Sequence, residues 1–231
     1  DARHLSRVMR GAPGTTFIVS DGKDREAIVE WVEERNRQIV AVVREWLPMN
    51  HEPQTQVWIA QSLPKKDKLE MIIQKGTEIG AAGFIPFTSE RTIVQYESQK
   101  LNKRMERWLK IAKEAAEQAH RNRIPEIQTP MTWKQLLNEI DAFDLVLFCY
   151  EQLGGMSISE MLQNDKQNST LPLKMMVVVG PAGGFTKTEA NQILSAPQAR
   201  SITLGPRILR TETAGMVALA CILHEFGEMG G

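Results

Sequence analysis

Residues 175–189 read Met175-Met176-Val177-Val178-Val179-Gly180-Pro181-Ala182-Gly183-Gly184-Phe185-Thr186-Lys187-Thr188-Glu189. An unbroken apolar run from Met175 to Val179 predicts a strand buried on both faces, as in a parallel sheet. A glycine-rich turn follows at once. Thr186 and Glu189, three residues apart, then have the spacing of a capping box that opens a helix. Strand, tight turn and capped helix in immediate succession make one unit of an α/β sheet.

The same alternation extends in both directions. Upstream, Thr55 to Ala60 and Phe84 to Phe87 are β-prone runs, and Asp144 to Tyr150 is a buried strand. Asp67 with Glu70 predicts a second capping box, followed by a helix whose apolar face is Leu69, Ile72, Ile73 and Ile79 and which Gly80 ends. Ser98 is expected to cap the longest helix, with Leu101, Met105, Trp108, Leu109, Ala112, Ala116 and Ala119 on its buried stripe. Downstream, Ser201 to Leu204 is a last short strand. Thr211 to Phe226 is the C-terminal helix, with Ala214, Val217, Ala218, Cys221 and Ile222 facing inward. The expected fold class is α/β, a mostly parallel sheet with helices on both faces.

The first residues follow another pattern. Leu5, Val8 and Met9 form a small helical stripe that Gly11 stops. Thr15 to Val19, a turn at Asp21-Gly22, alternation of Ala27, Val29 and Trp31 with glutamates, a turn at Asn36 and a strand from Gln38 to Val43 read as a small β module. Three strands fall short of closing a barrel, so a further strand is expected upstream of this sequence. Leu47 to Pro53 carries two prolines and serves as linker. The expected domains are therefore residues 1–52 and 53–231.

Composition narrows the function classes. Lys plus Arg and Asp plus Glu both number 28, so a nucleic-acid role must come from local patches. The two cysteines, Cys149 and Cys221, lie in apolar runs and are expected as buried thiols in a reducing compartment. No disulfide scaffold or metal site is expected. No apolar run approaches the ~18 residues of a membrane span, and no signal peptide is visible, so a soluble cytoplasmic protein is expected.

Three turns after strands mark the place for a ligand, because open parallel sheets bind beyond the carboxyl ends of their strands. They are Tyr150-Glu151, Gly180 to Phe185, and Leu204 to Arg210. Lys187-Thr188 after glycines superficially suggests a phosphate loop, but Thr186 stands where that loop needs glycine. With no Lys or Arg before Lys187, the backbone of this turn suits a neutral base such as adenine. Basic clusters lie elsewhere: Arg3, Arg7 and Arg10 at helical spacing, Lys65, Lys66 and Lys68, and Arg121 with Arg123. Each is either a solvated face or a set of phosphate contacts.

Several segments resemble the RsmE family, the small-subunit (16S) ribosomal RNA uridine-N3 methyltransferases of the SPOUT superfamily. They are His4 to Arg10, Leu63-Pro64-Lys65, Gln74 to Gly80, Pro86-Phe87-Thr88-Ser89-Glu90-Arg91, Glu114 to Gln118, Arg121 to Pro125, Gly180 to Phe185, and Leu204-Gly205-Pro206-Arg207-Ile208-Leu209-Arg210-Thr211-Glu212-Thr213-Ala214. The resemblance implies a PUA-like RNA-binding barrel at the N-terminus and a C-terminal α/β domain threaded into a trefoil knot. It also implies S-adenosyl-L-methionine as cofactor, 16S rRNA or the 30S subunit as partner, and a homodimer. The residues implied for the cofactor are Tyr150, Glu151, Val179, Gly180, Pro181, Gly183, Gly184, Leu204, Gly205, Ile208, Leu209, Thr213 and Ala214. Those implied for RNA are Arg7, Arg10, Arg91, Arg121 and Arg123. Ala182 departs from the family turn, which usually has Glu there.

N3 of uracil lies on the pairing edge and carries a proton, so the base must be unpaired or flipped. As the proton leaves, negative charge spreads to the flanking carbonyls, and a guanidinium is suited to stabilise it. Arg210 is the expected catalytic residue, with Glu212 orienting it or relaying the proton. Two rivals stand beside this reading. One is a non-catalytic RNA-binding assembly factor on the same fold, which Ala182 favours. The other is a knotted methyltransferase acting on a tRNA ribose hydroxyl.

Overall fold

A computed structural model of the chain describes residues 5–6, 11–23, 25–48, 51–94, 98–150, 154–166 and 173–230. The expected helix positions Val8 and Met9, the basic residues Arg3, Arg7 and Arg10, and Glu151 lie outside the described residues. The chain divides into two compact units, residues 1–52 with 120–124, and residues 53–119 with 125–231.

In the first unit, β1 (Thr16–Ser20), β2 (Glu26–Arg35) and β3 (Gln38–Leu47) form an antiparallel meander. Ala27, Val29 and Trp31 are buried at alternate positions of β2, as the two-residue period requires. β3 runs four residues beyond the expected Val43. Residues 120–124 are fastened to this unit by polar contacts. Ser20 Oγ donates to the Asn122 carbonyl, the Ile124 amide donates to the Gly22 carbonyl, and Asn122 Nδ2 donates to Glu26.

The second unit is a sheet of eight strands with every recorded pairing parallel, in the order β6-β5-β4-β10-β8-β11-β9 with β7 beside β5. These are β4 (Gln56–Ser62), β5 (Gly83–Thr88), β6 (Glu126–Ile127), β7 (Met131–Thr132), β8 (Leu145–Cys149), β9 (Met156–Ser157), β10 (Lys174–Val179) and β11 (Ala199–Thr203). The helices are α1 (Lys68–Ile79), α2 (Ser98–Gln118), α3 (Trp133–Glu139), α4 (Ile158–Lys166), α5 (Lys187–Leu194) and α6 (Thr211–Glu225). From Met175 onward β10 is buried, because it lies between β4 and β8 with apolar clusters on both faces. One face packs Ile72, Ile73, Trp108, Ala218 and Ile222; the other packs Phe87, Leu136, Phe148, Phe185 and Ile193. Full burial of a Leu, Ile or Phe side chain is worth roughly 1.5–3 kcal/mol relative to exposure, so these layers hold the sheet between helices.

Several expectations need correction. The Asp67–Glu70 capping box does not form: Asp67 adopts φ −91 and ψ 18 rather than extended backbone, and makes no side-chain cap bond. Glu70 is drawn to Arg107 on α2 instead. Leu109 is 46% exposed, since it follows Trp108 by one residue and points about 100° round the helix; Ala115 takes a place in the stripe. The capping expected of Ser98 turns on residues 95–97, which lie outside the described residues. Cys221 is exposed and Val217 half-buried, because Gly215, Leu219 and Leu223 turn the inner face of α6 away from them. α3 and α4 had no counterpart in the sequence reading.

Candidate functional site

The carboxyl ends of β10, β8 and β11 open into one cavity of about 390 Å³, and α6 enters it with its N-terminal turn. That volume lies within the ~300–1,000 Å³ range of small-molecule sites. Residues of the three turns expected to share a ligand meet here, Tyr150 being the described member of the first. Tyr150, Val179, Gly180, Pro181, Gly184, Leu204, Gly205, Ile208, Leu209 and Ala214 line the cavity, and Arg207, Arg210 and Glu212 are its charged lining residues. Gly183 and Thr213 are not among its lining residues.

The glycine turn is built from below. The Gly184 amide donates to the Pro181 carbonyl at 2.8 Å, closing the turn. Gly184 has φ +68, which favours a residue without Cβ. Phe185, buried, anchors the turn between Phe148 and Trp133, with ring centroids 4.5 and 5.4 Å away. A Cβ on Gly180 would stand 2.7 Å from that ring, so the strand end can approach Phe185 only as glycine. The expected capping box at Thr186 and Glu189 is present. Its carboxylate does more than cap: Oε1 also accepts the Glu90 amide at 2.8 Å. Beside it, Arg91 donates to the Gly183 carbonyl at 2.8 Å. Arg91 was expected to touch RNA; one terminal nitrogen is held by the glycine turn while the residue stays exposed.

The floor of the cavity is pinned by a second chain of bonds. Gln61 Nε2 donates to Thr211 Oγ1 at 2.8 Å, and that hydroxyl donates to the Gly180 carbonyl at 2.6 Å. The end of β10 is thereby tied to the start of α6. Sequence reasoning missed Gln61, although a glutamine inside an otherwise apolar strand is the kind of signal that marks a buried polar role.

Charge at the edge is organised around Glu212. Its Oε1 accepts from Lys68 Nζ at 2.8 Å, and its buried Oε2 has no hydrogen-bond partner among the described residues. Burial works to raise the Glu212 carboxyl, but the hydrogen bond from Lys68, a backbone N–H and the charges of Lys68 and Arg210 outweigh it. The group is held below the usual carboxylate range. Arg210 is exposed at the N-cap of α6 and acts on Glu212 through space. On the cavity wall, burial pushes the Cys149 thiol up to about 12, so it stays a neutral thiol. Ile208 is 83% exposed at the edge, apolar surface that a ligand would cover.

The Arg121 side chain is only 5% exposed and bonds both oxygens of Glu52, through Nε at 3.3 Å and a terminal nitrogen at 2.7 Å. A guanidinium so committed forms a structural ion pair rather than the phosphate contact expected of it. Arg123 donates through Nε to the Lys23 carbonyl but remains exposed. Among the described residues, no cluster of His, Cys, Asp and Glu fits a metal, and no helix is long and apolar enough to cross a membrane.

Comparison with known proteins bears directly on this geometry. The model of the RNA methyltransferase domain family matches residues 50–223. The ribosomal RNA small subunit methyltransferase E of Bacillus subtilis is 39% identical over 97% of this chain and 88% of that protein. The chain belongs to the ribosomal RNA small subunit methyltransferase E family. Solved structures agree in fold. A Legionella pneumophila methyltransferase in complex with the bound cofactor SAM is 28% identical, covers 96% of this chain and 88% of its own, and has a TM-score of 0.81. A ribosomal RNA small subunit methyltransferase E from Neisseria gonorrhoeae, bound to S-adenosyl methionine, is 26% identical with the same coverage and a TM-score of 0.81. The family match spans all the strands of the sheet unit, including every strand that ends at the cavity.

Proposed function

We propose that the chain transfers a methyl group from S-adenosyl-L-methionine to N3 of a uridine in 16S ribosomal RNA, on the 30S subunit or its RNA. The observation that carries the reading is the cavity itself, walled by turns at parallel strand ends and lined by two arginines, Arg207 and Arg210, and one carboxylate, Glu212. The residues fit the cofactor. Gly180 to Gly184 and Leu204 to Leu209 offer backbone donors and acceptors for adenine and ribose, and Val179, Leu204, Ile208 and Leu209 offer apolar contact. When bound, the cofactor supplies an electrophilic methyl group, so the protein's task is positioning and charge.

Arg210 stabilises the charge that develops on the uracil carbonyls as N3 loses its proton, and Glu212 accepts or relays that proton. The first unit, read as a PUA-like barrel lacking its first strand, holds the RNA with Arg7, Arg10 and Arg123. The end of the second unit is read as a trefoil knot. α6 is read as a dimer contact: from Ala214 to Leu223 it is apolar all round, yet Met216, Val217 and Ala220 are only half-buried in one protomer. The rival reading, an RNA-binding assembly factor without catalysis, is favoured by Ala182, which stands in the cavity wall without a carboxylate. The test is methyl transfer from labelled cofactor to 30S subunits and to naked 16S RNA, with calorimetric cofactor binding alongside. Binding without transfer to either substrate favours the rival.

A further inference from the structure

Lys68 is the first residue of α1, a helix end whose exposed N–H groups already carry partial positive charge. A cation there works against the helix dipole. The residue is therefore poorly placed to stabilise its own helix. It reaches instead to the first turn of α6, donating to Glu212 Oε1 at 2.8 Å across 144 residues of sequence. The carboxylate borders the cavity, and its second oxygen is buried with no partner among the described residues. Buried acceptors in native structures are nearly always satisfied, so a donor belongs on Oε2. Lysine is suited to this arrangement. Its ammonium engages one oxygen as a point charge, whereas the arginine fork tends to take both oxygens of a carboxylate.

We propose that Lys68 is a positioning residue for methyl transfer: it holds Glu212 by one oxygen and thereby reserves the other as acceptor for an imide N–H of a pyrimidine brought to the cavity. The inference rests on the role proposed above for Glu212. In the step it serves, the N3–H bond breaks, its electron pair stays on nitrogen, and the proton passes to Oε2, leaving Glu212 neutral until the product departs. The charged groups recorded against Glu212 are Lys68 from α1 and Arg210 at the N-cap of α6. β4 and β10, also packed on α6, end there in Gln61, Ser62 and Val179, which carry no charge, and Glu160 of α4 is held on Ser157. Because the folded carboxyl lies below its ordinary value, Glu212 stays ionised through the neutral range. The stability this contributes is present above the ordinary carboxylate range and is lost as pH falls through the lowered value.

The test compares Lys68→Met, Lys68→Arg and Glu212→Gln in the full chain. Two readouts are used: single-turnover methylation of 16S RNA as a function of pH, and the titration of the Glu212 carboxyl by carbon-13 NMR in the free protein. Lys68→Met should slow transfer roughly tenfold or more and leave cofactor affinity within about twofold. It should also move both the acid limb of the rate and the Glu212 titration upward. Lys68→Arg should restore the titration and part of the rate. A normal rate in Lys68→Met overturns the inference, as does a slower rate with an unmoved titration, which marks a merely structural ion pair. Glu212→Gln separates the two levels. If it methylates normally, the role of Glu212 itself has failed; if it is slow while Lys68→Met is normal, only the positioning by Lys68 has.

Discussion

Gly184 and Arg210 stand for the two kinds of residue the cavity needs. Gly184 contributes a backbone conformation, φ +68, with open space around its Cβ position. Gly184→Val should therefore distort the turn through its dihedral angles rather than by collision. Calorimetry should show cofactor binding lost while circular dichroism stays near native; unchanged affinity would remove the turn from the cofactor site. Arg210 contributes charge. Arg210→Ala should lower the transfer rate by about 10²-fold or more, since a preorganised charge-stabilising donor is worth roughly 3–4 kcal/mol in a water-excluded site, while RNA binding by filter assay persists. The glycines were legible in the sequence because a turn after a buried strand constrains the backbone locally. The partners of Glu212 and Gly183 were not. Lys68 and Arg91 reach them across 144 and 92 residues, and no spacing rule connects such positions.

Local signatures succeeded where nothing stronger competed for the same side chain. Thr186 and Glu189 formed their box, and the carboxylate also took the Glu90 amide. Asp67 and Glu70 have the same spacing, but Arg107 on α2 offers Glu70 a full charge, and the cap is lost. α3 was missed although Thr132 and Gln135 carry the same signature and form a complete box. At β6 and β7, two residues each, the chain is too short for periodicity to register. The segment 120–124 shows how a cluster of basic residues misleads. Arg121 is buried against Glu52, and Glu52 also accepts the Arg123 amide at 2.9 Å. Removing the guanidinium leaves a buried carboxylate uncompensated, which typically costs about 3–5 kcal/mol. Arg121→Ala should accordingly lower the unfolding midpoint in urea without flattening the salt dependence of RNA binding. A flattened slope at unchanged stability would return Arg121 to the phosphate contacts.

The alternation of strands and helices from residue 54 onward carried the α/β architecture, because buried parallel strands and amphipathic helices differ in period. Strand order was not legible: β10 lies between β4 and β8, and only the assembled sheet reveals which turns share a cavity. The apolar surface on α6 gives the assembly its prediction. Sedimentation at micromolar concentration should show a dimer that Val217→Glu splits, and a monomeric parent protein would contradict the dimer reading. The most direct test of the function is transfer of labelled methyl from S-adenosyl-L-methionine to 30S subunits and 16S RNA, followed by mass analysis of the digested nucleosides. The expected product is a uridine methylated on its base at N3, made by the parent protein and reduced about 10²-fold by Arg210→Ala. Label on a ribose hydroxyl, or no transfer from a protein that binds the cofactor, would contradict it.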